Sequence, residues 1–294
     1  MARMGAIVEF GAPDAATASV ETRFTDPAAP TVLAFAGMAH GLQMPIAEFV
    51  RVLAPLDVNV VFVKDLRQCW YQHGVPGLGD SPAEAAEALA ALVPAGSSLS
   101  GTVGTSSGGT GAIIFGALLG VPTALAFSPR TLIDDAAVAR WRVDIPHLPD
   151  VDTDAPTADL RRLLALRRPG RVVLRYGAGN AHDAAQAARI ADLPGVESAA
   201  LPTDWHPSAA WLRDQGQLGR TVAEVKDLTR SFKAMMSIHE GELDGGEPAS
   251  AADADPGESR LGDLEALRGV VKFPVRIKCA TLSWNTLLQA IDEA

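Results

Sequence analysis

Aromatic side chains are scarce in this sequence, at 5% of 294 residues, although hydrophobic residues reach 48%. A core must therefore be assembled mainly from Ala, Val, Leu and Ile, packed closely between layers. Cysteine is rarer still, with only Cys69 and Cys279, too few and too far apart for a disulfide framework. Lys and Arg number 25 against 35 Asp and Glu, a formal net charge of −10. That balance offers no positive field to a phosphate backbone, so nucleic acid is excluded as an expected partner. Long hydrophobic runs are missing as well. The start, "MARMGAIVEF", lacks the apolar segment of a secretory signal, and the most apolar stretch, 111–127, is broken by Gly116, Gly120 and Pro122. No membrane partner and a cytoplasmic location are the resulting expectations.

What is present is an alternation. Short apolar runs at 31–36, 58–63, 99–104, 122–127, 171–176 and 197–202 have strand length and are apolar on both faces, as in a parallel sheet covered on each side. Helical patterns lie between them at 43–54, 82–93, 107–119, 183–192 and 207–214. The second begins with a capping signature, Ser81 followed by Pro82 and Glu84. Repeated βα units predict an α/β fold with a doubly wound, mostly parallel sheet of about six to eight strands. Segments 5–10 and 19–25 are expected to add an antiparallel hairpin at one edge. The long 128–170 connection, with Pro146, Pro149 and Pro156, is expected to form a small cap over one end of the sheet.

The alternation stops near 218, so one domain is expected over 1–219 and a mainly helical appendage over 220–294. In the second part a Thr221 and Glu224 capping box opens a helical pattern. An acidic segment at 239–260, rich in Asp, Glu, Gly, Ala and Pro, reads as a solvated loop.

The chemistry centres on "VGTSSGGTGA", 103–112. A phosphate loop needs a lysine and a hydroxyl after its last glycine. Gly104 and Gly109 have the spacing, but Thr110 and Gly111 follow. A dinucleotide loop finds no full match either. G-x-S-x-G does fit, with Gly104, Ser106 and Gly108, and it follows a predicted strand and opens a predicted helix. In such an elbow a serine hydroxyl stands exposed at a helix N-terminus, where free amides and the helix dipole favour developing negative charge. Ser107 supplies one of those amides. The second oxyanion donor should come from "FAGMAHG", through the amide of Met38 or of Gly37.

An elbow serine needs its acid and base on later strand ends, in the order Ser, Asp, His. "YGAGNAHD" and "PTDWHPSAAWL" follow the last two predicted strands. His206 is the candidate base, because a neutral imidazole can take and return the serine proton. Asp183 is the candidate acid; its alternative role is ordinary negative charge at a helix start. The other histidines, His40, His73, His147, His182 and His239, read as surface or packing residues, with His40 also placed to line a pocket. Cys69 reads as a packing residue within "RQCWYQHGVPGLGD", a candidate pocket wall.

Residues 31–216, through "FAGM", "KDLRQCWYQHGVPGLGD" and "GTSSGG", resemble the α/β-hydrolase superfamily. The resemblance implies a serine hydrolase that needs no cofactor, with Ser106 as nucleophile and His206 as base. Many members carry the acid in a G-x-x-D turn; here Asn180 stands three residues after Gly177, so Asp183 must substitute. Residues 220–294, through "TVAEVKDLTRSFKAMM" and "RIKCATLSWNTLLQAI", are similar to the C-terminal half of SufU/NifU-like iron-sulfur cluster assembly proteins. In that family a cysteine matching Cys279 binds metal or accepts sulfur with ligands from the N-terminal half. Those ligands are missing here, so no zinc or iron-sulfur cluster is expected.

The leading expectation is hydrolysis or acyl transfer of an ester or thioester with a small-molecule acyl substrate. Two alternatives stay open: a sulfur-transfer or iron-sulfur assembly accessory working through Cys279 with an assembly partner, and a catalytically silent binding module.

Overall fold

A computed structural model describes residues 7–53 and 56–218. These belong to the first of two units into which the chain divides, Met1–Gly219 and Arg220–Ala294. Expectations for the appendage, including the acidic segment and Cys279, lie outside the described residues.

Eight strands form one sheet: β1 (Ile7–Glu9), β2 (Val20–Arg23), β3 (Thr31–Phe35), β4 (Asn59–Val63), β5 (Leu99–Thr105), β6 (Thr123–Phe127), β7 (Arg171–Gly177) and β8 (Val196–Leu201). Their order is β1-β2-β4-β3-β5-β6-β7-β8, and the pairs from β4 to β8 are all parallel. The fold is the α/β architecture with a mostly parallel sheet expected from the alternating pattern. The six strands predicted from Thr31 onward are all present within one residue of their predicted starts.

The edge differs from expectation. β1 and β2 pair parallel to each other, and β2 finds its antiparallel partner in β4, with Val20 opposite Val63. A hairpin is prevented by the connection between them, which contains a short 3-10 helix, Ala15–Thr17. The Lys64 ammonium donates to the Ala15 carbonyl (2.6 Å) and pairs with Glu21 (2.6 Å), both side chains being buried. This ties the connection across the sheet end and returns the chain in the same direction.

Among the described residues seven α-helices accompany the sheet: α1 (Ile46–Leu53), α2 (Pro82–Ala90), α3 (Ser107–Leu119), α4 (Asp135–Asp144), α5 (Leu160–Leu166), α6 (Ala181–Ala188) and α7 (Ser208–Asp214). On one face Leu33, Phe35, Val61 and Leu174 pack with residues of α2, α3 and α5. On the other Ala34, Val60, Phe62 and Val103 pack with Phe49 of α1 and Ala209 of α7. Three of the few aromatics meet in the first of these clusters, where Phe35 stacks on Phe115 (4.8 Å between ring centroids) and meets Tyr71 edge-on. The 128–170 connection does two things: α5 joins the sheet-covering layer against α3, whereas α4 belongs to a separate apolar cluster with Cys69, Trp70 and Trp141.

Helix α3 is apolar all round and buried along nearly its whole length, as expected for a central helix. Its approach to the sheet depends on two missing side chains. A Cβ on Gly104 would sit 2.0 Å from the Gly108 carbonyl oxygen, and one on Gly108 would sit 2.1 Å from that of Phe35. Backbone lies on both sides, so neither contact can be relieved by a rotamer change. Gly108→Ala is therefore expected to cost about 3 kcal/mol or more. Urea unfolding of the variant beside wild type checks this; equal stabilities would contradict so close an approach.

Candidate active site

The site forms where the C-terminal ends of the central strands meet, the edge at which open α/β sheets place their ligands. Ser106 follows β5 directly and its backbone is held at φ 55°, ψ −121°. This conformation costs a non-glycine residue about 1–3 kcal/mol, which the surroundings must offset. They do so with the amide of Ser106, which donates to the Phe127 carbonyl at the end of β6 (2.8 Å), and with the buried, small-residue start of α3.

Asp183 comes from the first turn of α6. Asn180 caps that helix by accepting from the Asp183 amide (3.1 Å). Asn180 thus anchors the turn that carries a carboxylate three residues later. Asp183 is buried, and both its oxygens lie 2.9 Å from His206 Nδ1. His206 Nε2 lies 3.0 Å from Ser106 Oγ. A carboxylate only accepts, so Nδ1 carries the proton, and Nε2 is left to accept from the serine hydroxyl.

His206 sits on the turn between β8 and α7, and a residue overlooked at the sequence level secures it. Gln43 donates through Nε2 to the His206 carbonyl (3.1 Å), and its Oε1 accepts from the Ala209 amide (3.1 Å). Only its left-handed backbone, φ 60°, sets Gln43 apart, and no local pattern announces that.

The two predicted oxyanion turns flank the serine, and Met38 and Ser107 both line the same cavity as Ser106. Gly37 is a correction. Its amide donates to the Gly41 carbonyl (2.8 Å) and closes its own turn, so it is committed elsewhere. The Met38 carbonyl accepts from Gln68 Nε2 (2.9 Å), which fixes the plane of the following peptide from the 65–80 loop.

Buried Asp65 organises that loop by accepting the Tyr71 amide (3.0 Å), with the amides of Cys69, Arg67 and Trp70 also turned toward it. Burial pushes its carboxyl up to about 6, against the opposing pull of those amides. Trp70 reaches the cavity, as the expected pocket wall required. Cys69 is fully buried, and burial followed by the charge of Asp65 pushes its thiol up to about 12, which suits packing and not nucleophilic attack.

The cavity measures about 460 Å³. Trp141 and Arg140 of α4 line it, so part of the long connection does cover the site. His182 and Arg130 also line it, which differs from the expectation that His182 is a surface or packing residue. His40 does not line it; burial, then Lys64, lowers its pKa. Among the described residues no group of three His, Cys, Asp or Glu side chains is placed to hold a metal ion. None of the described helices is long and apolar enough to cross a membrane.

No family model matches the chain. Among curated proteins, the iron-sulfur cluster assembly scaffold protein IscU of Streptococcus pyogenes serotype M1 is 57% identical over 40 residues, 14% of this chain and 25% of that protein. The zinc-dependent sulfurtransferase SufU of Bacillus subtilis (strain 168) is 68% identical over 31 residues, 10% of this chain and 21% of that protein. The chain thus spans about a quarter or less of the length of these relatives. Similar solved structures include acetyl xylan esterase 1 from Thermoanaerobacterium sp. JW/SL YS485, at 16% identity over 66% of this chain and 75% of that one, TM-score 0.44. The capsule O-acetyltransferase of Neisseria meningitidis serogroup A gives 10% identity over 67% and 89%, TM-score 0.46. Est1E from Butyrivibrio proteoclasticus gives 11% identity over 67% and 90%, TM-score 0.43.

Asp65 generates a pH dependence. Its carboxyl rises from 3.8 to about 6 on folding, so the folded state binds the extra proton between those values. The contribution is fully present below about 3.8 and is lost as pH rises through about 6, an amount of about 3 kcal/mol at most. Asp65→Asn removes the titration. The stability difference between wild type and variant, measured by urea unfolding from pH 4 to 7, should shift against wild type as pH rises; a pH-independent difference would refute it.

Proposed function

We propose that the protein is a serine hydrolase or acyl transferase acting on an ester or thioester bond of a small-molecule acyl substrate. The carrying observation is the continuous hydrogen-bonded chain from Ser106 Oγ through His206 to buried Asp183, opening on a cavity. Ser106 is the proposed nucleophile, His206 the proton shuttle and Asp183 the group that orients and stabilises the imidazolium. These side chains come from three separate turns, and Ser106 is held in a strained conformation, features that a packing role alone would not require.

In the proposed reaction Ser106 Oγ attacks the carbonyl carbon while its proton passes to His206 Nε2. The negative charge that develops on the carbonyl oxygen falls between the amides of Ser107 and Met38, at the positive end of α3. Collapse of the tetrahedral species expels an alkoxide or thiolate, which takes the proton back from His206. Water, or a second acceptor alcohol, then repeats the sequence on the acyl-serine and frees the enzyme. No step calls for a cofactor.

A second reading, sulfur transfer or iron-sulfur cluster assembly through Cys279, draws on the short stretches shared with IscU and SufU. It would require ligands besides the single Cys279 thiolate, and buried Cys69 is a poor one. On the hydrolase reading purified protein holds no stoichiometric zinc or iron. Elemental analysis that found either at one per chain would favour the second reading.

A fluorophosphonate probe, which phosphonylates an activated serine with loss of fluoride, should label the full chain at Ser106 and leave Ser106→Ala unlabelled. Equal labelling of both would remove the proposal. For p-nitrophenyl esters of short and long acids, Asp183→Asn should lower kcat roughly 10⁴-fold, through loss of the correct imidazole tautomer.

A further inference from the structure

Arg130 follows β6 by three residues and lines the cavity beside Ser106 and His206. Its backbone is fixed independently of its side chain. The Arg130 carbonyl accepts from Thr110 Oγ1 of α3 (2.8 Å), and the next residue, Thr131, gives both its amide and its hydroxyl to Gln186 of α6 (2.7 Å each). The guanidinium is half-buried and makes no ion pair among the described residues. One nitrogen lies 3.2 Å from His182 Nε2 and another 3.5 Å from the Leu132 carbonyl. Arginine only donates, so His182 Nε2 accepts and the ring is neutral there. Burial, and then Arg130 itself, lowers the His182 pKa, which agrees with that assignment.

The other charges of the cavity are matched. Arg140 pairs with Asp144 (2.8 Å), and Asp183 holds His206. Asp134 and Asp183 both attract Arg130 from outside ion-pair distance, the first also capping α4 at the Ala137 amide (2.8 Å) and the second hydrogen-bonded to His206. A partly desolvated guanidinium with spare donors, facing a cavity whose wall includes Met38, Trp70, Pro129 and Trp141 beside the polar Ser128 and Asn180, can receive a planar anion in fork geometry.

We propose that Arg130 is the specificity residue of this site and that the substrate is an ester or thioester carrying a free carboxylate, received by Arg130 with neutral His182 beside it. The proposal rests on the hydrolase reading and names its substrate class. It assigns Arg130 to binding and leaves the proton chemistry to His206.

The test compares matched esters in the full chain. p-Nitrophenyl hydrogen glutarate against p-nitrophenyl valerate places the anion on the acyl side; 4-acetoxybenzoate against 4-acetoxybenzamide places it on the alcohol side. Wild type should prefer the charged member of one pair. Arg130→Gln should lower that preference, as a ratio of kcat/KM values, by about 10- to 100-fold, the range expected for a hydrogen-bonded charge contact. Arg130→Lys, which keeps the charge and loses the fork, should fall between. Binding of glutarate to Ser106→Ala, followed through Trp fluorescence, should weaken by a similar factor when Arg130→Gln is added, and it needs no turnover. Ratios and glutarate binding unaffected by either Arg130 variant would overturn the assignment and leave the hydrolase reading intact. Absence of Ser106 labelling and of all ester cleavage, with Arg130-dependent glutarate binding retained, would overturn the hydrolase reading and uphold the anion site.

Discussion

Everything at the strand ends depends on how closely α3 approaches the sheet. With no side chain at Gly104 or Gly108, backbone meets backbone, and the turn between them can be sharp enough to hold Ser106 at positive φ. The same approach sets the Ser107 amide beside the Met38 turn and buries α3 against β3, β5 and β6. A site of this kind is a product of packing: the strain at one residue persists because the layers on either side leave no room for relaxation.

Around that fixed point the remaining groups are held by tethers, two of them from distant parts of the chain. Gln43, before α1, grips the His206 turn; Gln68, in the loop after β4, grips Met38; Asn180 caps the helix that bears Asp183. Each tether joins a side-chain amide to backbone, so each sets an orientation without adding charge near the serine. Asp65 does the corresponding work inside its loop with a carboxylate, and burial shows the cost of that choice in its raised pKa.

The inner strands and the elbow were legible in the sequence because both are local. Runs such as "VNVVFV" and "TALAF" announce buried strands by composition, and G-x-S-x-G announces a turn that only small flanking residues permit. His206 and Asp183 were legible as residues on the right strand ends, and the structure brings both to Ser106. The edge was misjudged because two short apolar segments carry no sign of direction; the Lys64 anchor that sets it lies over forty residues away. Gln43 and Arg130 were missed for a similar reason, since their partners are remote in sequence. Gly37 and Met38 could not be separated without knowing which amide closes the turn.

Helix α6 carries Asp183 and Gln186 three positions apart, hence on neighbouring parts of one surface. The first reaches toward His206, and the second gathers the peptide that follows Arg130. A single helix therefore spaces the hydrogen-bonded chain of Ser106, His206 and Asp183 from the guanidinium. On the proposed reading, that helix gauges the reach between the ester bond and a carboxylate tail.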